Sequence, residues 1–361
     1  MPSTLTPTMC GKAARLREVD RCPTLNKSDL IIQRQSTWDI SRRVPMKFVI
    51  YDDGRPGLLR DDGVVDISSV TSPLGASSGQ AAMEAIITHI DDIRADLTRL
   101  QAEGNATPLS SVKLQSPLPN PKKVLCMGGN YLEFGHRDAS PMWGFLKSSD
   151  AVIGPGGTVV LPPDDINIFH HEAELVLVFG KAGSGVSQAD AMDHIFGYTA
   201  GIDVSARLPA NARPGGGRNT TSMPISPWKS FPTFCPLGPC IVTKDEIPDP
   251  HHLQIRLWVD GELRVNYNTD DLAHSIPESI EWANALESFG PGDVLFMGTN
   301  HQGLGAMQDG DSIDVEVEGS GRFTIQVTDA LKRRWPKGVD ELTAKDIRDG
   351  TGPPGSKQRP L

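Results

Sequence analysis

Long apolar runs are missing from this 361-residue chain. No stretch approaches the roughly 18 apolar residues that a membrane-spanning helix needs, so a membrane role is not expected. Basic runs are missing too. The formal net charge is −10 with no Lys/Arg-rich segment to offset it, which argues against a nucleic-acid partner. Cysteine is scarce: Cys10, Cys22, Cys126, Cys235 and Cys240 are odd in number and irregularly spaced. That excludes a disulfide framework and points to a reducing compartment, the cytoplasm first and the mitochondrion as the alternative. Cys235 and Cys240 in "CPLGPC" lack a second Cys/His pair at zinc-finger spacing and read as free thiols. A secretory apolar segment is absent. Residues 1–46 carry eight Lys/Arg, but Glu18, Asp20, Asp29 and Asp39 accompany them, and transit peptides are poor in acids.

What is present is a globular composition rich in loops, with 36 Gly and 29 Pro, long enough for one large domain or two modest ones. Residues 1–45 are expected to be a loosely ordered extension. "MKFVIYDDGRPGLLRDDGVVDISS" (46–69) alternates short apolar runs with Asp-Gly turns, the pattern of a small β-meander. Residues 80–103 place Met83, Ile86, Ile87, Ile90, Ile93, Leu97 and Leu100 at helical spacing. "SPLPNPKK" (116–123) reads as a linker, so a small N-terminal β/α domain is expected over 46–118 and a catalytic domain over 122–332. Many short strands follow, with helices opening near Ser187 and around 276–287; Ser187 and Ser275 are N-cap candidates, and Pro277 suits a first turn. "NARPGGGRNTTSMPISP" (211–227) reads as a surface loop or an active-site lid. Its GGGR has no following Gly-Lys-Ser/Thr and is no phosphate cradle. The charged, Gly/Pro-rich tail over 333–361 is expected to fray. The fold class is α+β, rich in β.

One strand carries an anomaly. "IFHHEAELVLVFGK" (168–181) reads as buried, yet it holds two glutamates. Side chains alternate along a strand, so His170, Glu172 and Glu174 share a face, the carboxylates ~6–7 Å apart. The strand end either faces solvent or holds a divalent cation. A third acid, Asp203 in "GYTAGIDVSAR", is either a helix N-cap or a further ligand. Two glutamates and an aspartate form an oxygen set suited to Mg2+, Mn2+ or Ca2+. Held ~4 Å apart without a cation, they would repel by about 4 kcal/mol per pair at an effective dielectric near 20. Lys147 and Lys229 are flanked by large apolar residues; each is either a snorkelling surface lysine or a buried ammonium with an acidic or ligand partner. In "GPGDVLFMGTN" (290–300), backbone N–H groups and the Thr299 hydroxyl are placed to receive a carboxylate.

In order, "HHEAELVLVFGK", "GYTAGIDVSAR", "KSFPTFCPLGP", "EIPDPHHLQIRLWVDGEL", "SIPESIEW" and "PGDVLFMGT" resemble blocks of the fumarylacetoacetate hydrolase family, from about Lys122 to Val327. The resemblance is to its acylpyruvase and oxaloacetate-decarboxylase-like branch. It implies a mixed β-sandwich roll, a homodimer, and Mg2+ or Mn2+ on Glu172, Glu174 and Asp203. The implied substrate is a small 2-keto acid or β-dicarbonyl, and the implied chemistry is a metal-bound enolate leading to decarboxylation, hydrolysis or isomerisation. By the same resemblance Lys229 neutralises charge beside the metal, and Lys147 contacts substrate or an acidic neighbour. Thr299 would bind a substrate carboxylate or carbonyl, with Asn130, Tyr131, Phe134, Arg207 and His301 on the substrate rim.

The pattern also breaks. Family hydrolases follow Asn-Tyr with a His and, three residues on, a Glu that together activate water. In "GGNYLEFGHRDAS" those positions hold Phe134 and Arg137, while Glu133 and His136 are out of register. In a helical lid His136 would sit ~200° round from residue 134. Phe cannot move a proton and Arg stays protonated, so hydrolysis would require as its base His136 or else His301, which a lengthened "GTNHQGLG" turn brings in. Decarboxylation or keto–enol isomerisation needs no activated water. A non-catalytic metal- or ligand-binding member that has lost its dyad is the alternative, and a specialised role on a bulkier, more apolar substrate would suit Phe134.

Overall fold

The structure, a computed structural model, describes residues 44–208, 225–350 and 358–361. The expected extension, save its last two residues, and most of the 211–227 loop lie outside them. Lys47–Tyr51 (β1), Arg55–Arg60 and Gly63–Asp66 form the expected antiparallel meander. Gly54 turns the first pair at φ 85°, a conformation that costs glycine little. The helix α1 spans Gly79–Glu103 and is capped by the Ser78 side chain, which accepts the Ala81 N–H. It buries Met83, Ile86, Ile87, Ile93 and Leu97, five of the seven apolar positions at helical spacing.

The longer strands that continue the large sheet are Val124–Gly128 (β2), Trp143–Lys147 (β3), Ile168–Phe179 (β4), Ile195–Arg207 (β5), Cys235–Thr243 (β6) and Val294–Phe296 (β7). They run in the order β1–β6–β5–β4–β7–β2–β3, antiparallel throughout except for β7 against β2. A second sheet orders Glu262–Asn268, Gln254–Val259, Ser312–Val317, Gly321–Asp329 and Thr158–Leu161. On one face of β4, Ala173, Leu175, Leu177 and Phe179 share a core with Ile255, Leu257, Ile313, Val315 and Ile325 of the second sheet. On the other face Val176 and Val178 join Phe296, Val124 and the Met83 and Ile86 of α1. The layers are therefore α1, the large sheet and the small sheet. With both faces covered, β4 is buried along its whole length, which is why its second half, Leu175–Phe179, reads as a continuous apolar run.

Between the sheets' strands, α2 (Ile276–Leu286) carries the full capping box expected at Ser275, with Glu278 reaching back and Pro277 in the first turn. The helix expected at Ser187 is a single turn, Gln188–Ala191. The Ser187 hydroxyl bonds the Asp190 side chain at 2.8 Å instead of capping the backbone.

Two expected boundaries differ. The 116–123 segment does not divide separate domains: β1 pairs with β6, the Met46 N–H donates to the Thr243 hydroxyl, and Leu118 is buried. From Val44 on, the chain is one compact unit, because the edge of the meander is completed only by a strand from the C-terminal part. Nor does the described tail fray. Trp335 is buried and donates its indole N–H to the Asn167 carbonyl at 2.7 Å. Asp340 then caps α3 (Glu341–Arg348), which buries Thr343, Ala344 and Ile347.

Candidate metal centre

The β4–β5 register sets Glu172 opposite Asp203 and Glu174 opposite Gly201. Directly paired residues share a face, so the acids of the two strands converge. A ligand oxygen from each of Glu172, Glu174 and Asp203 lies within 4.8 Å of the others, and all three residues are buried. The solvent-facing alternative for the strand end is thereby excluded. Asp203 is an interior strand residue and not a helix cap. Gly201 leaves its side empty for a steric reason: a Cβ there would come within 2.4 Å of the Phe296 ring.

Three protein cations meet this cluster. From β3, Lys147 donates to Asp203 Oδ1 at 2.5 Å and to the Val204 carbonyl at 3.4 Å. Lys229, on the turn Pro227–Lys229, donates to Glu172 Oε2 at 2.7 Å and Asp203 Oδ2 at 2.5 Å. Arg207, at the end of β5, donates to the other Glu172 oxygen. Neither lysine snorkels; both are paired ammonium groups in largely buried surroundings.

These partners split the carboxylates. Burial acts to raise the Glu172 carboxyl, but Lys229 and Arg207, with His301 behind them, hold it well below the usual range. Burial would also discharge Lys229, yet Asp203 and Glu172 raise it above an ordinary lysine. Glu174 behaves oppositely. Burial, then Asp203 and Glu172, push its carboxyl well above the usual range, and the hydrogen bond recorded to it comes from the Gly298 N–H at 2.6 Å. Glu174 is thus the acid whose ionised form calls for a further positive charge. The donor set is all carboxylate oxygen, which suits Mg2+, Mn2+ or Ca2+ and not a softer metal. Nearby Cys235 supplies no thiolate, since burial pushes its thiol up to about 12. The residues fit a divalent cation.

Behind the cluster runs a strut that sequence reasoning left without a role. Arg207 Nε–H donates to His170 Nδ1 at 3.1 Å, so the ring proton lies on Nε2, 3.0 Å from Asp340 Oδ2. The same carboxylate caps α3 and accepts the Thr343 hydroxyl at 2.8 Å. Burial above all holds His170 down to about 4, so it stays neutral. The shared parity of His170 and Glu172 was a usable signal; nothing in sequence marked Asp340.

The other expected residues divide. Thr299 and His301 do lie in the turn that follows β7, but the carboxylate received there by Gly298 is Glu174's own. The Thr299 hydroxyl donates to the Asn300 carbonyl at 3.3 Å. Asn130, expected on the substrate rim, braces two segments: its amide donates to the Met297 carbonyl at 3.1 Å and accepts the His274 N–H at 3.2 Å. Tyr131 is likewise buried. Its ring packs edge-on against Tyr267 at 4.9 Å, and the Tyr267 hydroxyl bonds the carbonyl of Ala173, whose side chain points away from the acids. The 132–137 segment is a turn and not a helix, with Glu133 at φ 56° and Phe134 at φ 57°. This geometry leaves Phe134 and His136 exposed and turns Glu133 inward, fully buried. Among the described residues no hydrogen bond joins His136 to the carboxylates. Glu133 instead meets His301, its Oε1 2.5 Å from Nδ1 and its Oε2 accepting the His301 N–H at 2.8 Å. Sequence reasoning noted both residues but did not pair them.

Residues 123–328 match the family model described as fumarylacetoacetate (FAA) hydrolase C-terminal. The chain is 31% identical over 297 residues to the mitochondrial oxaloacetate tautomerase of Xenopus laevis, covering 78% of this chain and 82% of that protein. It is also 31% identical over 299 residues to a maleylpyruvate hydrolase of Aquipseudomonas alcaligenes, covering 78% and 99%. Among solved structures, maleylpyruvate hydrolase from Sphingobium sp. SYK-6, crystallised with manganese(II) and pyruvate, aligns with a TM-score of 0.68 at 32% identity. That alignment covers 79% of this chain and 99% of the other.

Proposed function

The chain belongs to the fumarylacetoacetate hydrolase family, and from that premise we propose a divalent-metal-dependent enzyme that acts on a small 2-keto acid or β-dicarbonyl through its enolate. One observation carries the reading: three buried carboxylates on a paired strand face, of which Glu174, among the described residues, is the one without an ion pair. Mg2+ or Mn2+ held by Glu172, Glu174 and Asp203 would supply Lewis-acid polarisation of the substrate's keto and carboxylate oxygens. Lys229, kept charged by its acidic neighbours, is the positive group for charge that develops on the substrate oxygen. Lys147 fixes Asp203, and Arg207 fixes Glu172. The Phe145 ring lies 4.7 Å from Lys229 Nζ, with Trp143 beside it, an aromatic flank that suits a substrate with an apolar or unsaturated arm.

The relatives are named tautomerase and hydrolase, so proton transfer and C–C cleavage both fall within the reading, with decarboxylation as a third outcome of the same enolate. A homodimer in a reducing compartment, cytoplasmic or mitochondrial, completes it; the described Cys126, Cys235 and Cys240 are all free and buried. The test is turnover of oxaloacetate and of an acylpyruvate with and without Mg2+, alongside calorimetric titration of Mn2+. About one site per chain is expected, lost in Glu174→Ala. Undiminished Mn2+ binding in that variant ends the metal assignment. Binding without turnover of any such substrate favours the non-catalytic alternative.

A further inference from the structure

We propose that Glu133 and His301 form the proton-transfer dyad of this site, with His301 Nε2 as the base that takes the C3 proton of a bound 2-keto acid. The proposal rests on the enolate reading above. The residue types are those of a general-base pair, but their positions are not where the sequence pattern placed a His and a Glu; Phe134 and Arg137 stand there instead. Chain order is reversed as well. The carboxylate comes from the turn after β2, and the imidazole comes from the turn after β7.

Three direct hydrogen bonds and a bridge through Asp271 tie these two turns together. Both carboxylate oxygens of Glu133 accept from His301, at 2.5 Å from the ring and 2.8 Å from the backbone. The Gln302 side chain donates to the Glu133 carbonyl at 2.6 Å. Asp271 accepts the Phe134 N–H at 3.1 Å and the Asn300 amide at 3.0 Å. Consecutive left-handed residues at Glu133 and Phe134 are unusual without glycine, and their cost is met where a side chain must be aimed. An ionised carboxylate only accepts hydrogen bonds, so in the neutral imidazole the proton lies on Nδ1 and the lone pair on Nε2. Among the described residues no hydrogen bond is recorded to that nitrogen.

The turn that carries the ring also reaches the acid cluster. Gly298, three residues before His301, donates directly to Glu174 at 2.6 Å. The step balances without a co-reactant. Nε2 takes the proton from C3, and the C–H electron pair becomes the C2–C3 double bond. The carbonyl pair moves onto the C2 oxygen, and the imidazolium returns its proton to that oxygen, giving the enol, or to C3. Glu133 stays ionised and is a positioning residue, which stabilises the imidazolium and fixes its tautomer.

Exchange of the pyruvate methyl protons into D2O, followed by proton NMR with Mg2+, reads this step directly. Wild type should exchange, and His301→Ala should exchange about a hundredfold slower or worse while its calorimetric Mn2+ binding is kept. Added imidazole should restore part of that rate. Glu133→Gln should slow exchange with unchanged pyruvate affinity, and its histidine nitrogen spectrum should lose the Nδ1-protonated tautomer of the wild type. Unchanged exchange in a Mn2+-binding His301→Ala protein overturns the proposal. So does a wild type that binds Mn2+ and exchanges nothing. Intact exchange with loss only of acylpyruvate hydrolysis would give the dyad to water and overturn it too. Failure of wild type to bind Mn2+ would instead sink the reading on which the proposal rests.

Discussion

Lys229 touches Glu172 at 2.7 Å and Asp203 at 2.5 Å, and it does so from a short turn and not from the sheet. Lys229→Met keeps the length of the side chain and removes its charge. Rates on the tested keto acid should fall by about two orders of magnitude or more while Mn2+ still binds, since the carboxylates are untouched. Loss of metal binding in step with rate would show that Lys229 serves structure and not charge stabilisation. His136→Ala should alter turnover by less than about tenfold, because among the described residues no hydrogen bond joins the exposed ring to the three acids. Away from the site, burial raises the Asp311 carboxyl to about 6, although it accepts the Gln308 N–H at 2.9 Å. The folded state then binds this proton more tightly than the unfolded chain, whose carboxyl titrates near ~3.9. Asp311 therefore favours the fold below that value, and the contribution is lost as pH rises through about 6. Asp311→Asn should be more stable than wild type at pH 7.5, by on the order of 1–2 kcal/mol, and equal to it in acid. Buried His170 and His171, held at about 4 and about 3, act in the opposite sense in the parent curve. The difference between variant and wild type in thermal melts at several pH values is thus the clean measurement.

At the scale of elements, β4 is a strand with two halves. His170, Glu172 and Glu174 give way on the same face to Val176 and Val178, which lie against α1. The alternation was legible because a strand repeats every two residues and needs no partner to do so. The arrival of β5 was not legible, and it is the register with β5 that turns two glutamates into a three-acid site. The helix α3 is a second case. From composition it belonged to a fraying tail, but Asp340 both caps it and holds His170. Asp340→Ala should cost on the order of 2–4 kcal/mol, adding the loss of a cap to a buried imidazole N–H left unpaired. Thermal unfolding would report it. A change within a few tenths of a kcal/mol would mean that α3 is held by its buried Ala344 and Ile347 alone.

For the whole molecule, we propose a homodimer on the family resemblance, so light scattering at micromolar concentration should give about 78 kDa, twice the 39.0 kDa of one chain. A value near 39 kDa would contradict it. The family, the β-rich α+β class, the meander, α1 and the shared face of Glu172 and Glu174 were legible in the sequence on its own, and Asp203 was added to them by the family resemblance. Each follows from a short period or a contiguous block: apolar spacing for α1, Asp-Gly turns for the meander, parity along β4. The linker and the tail were misread for the same reason, since proline and charge describe local stiffness and solvation and not what a segment later packs against. Only the tertiary structure decided which cations meet which acids, that Asn130 and Tyr131 face inward as braces, and that Glu133 meets His301. That last pair is 168 residues apart, and His170 and Asp340 are 170 apart. Their meeting depends on two left-handed residues and on two turns docked side by side. No local pattern encodes such a meeting, because the energy that selects it comes from burying and pairing polar groups across the finished sheet.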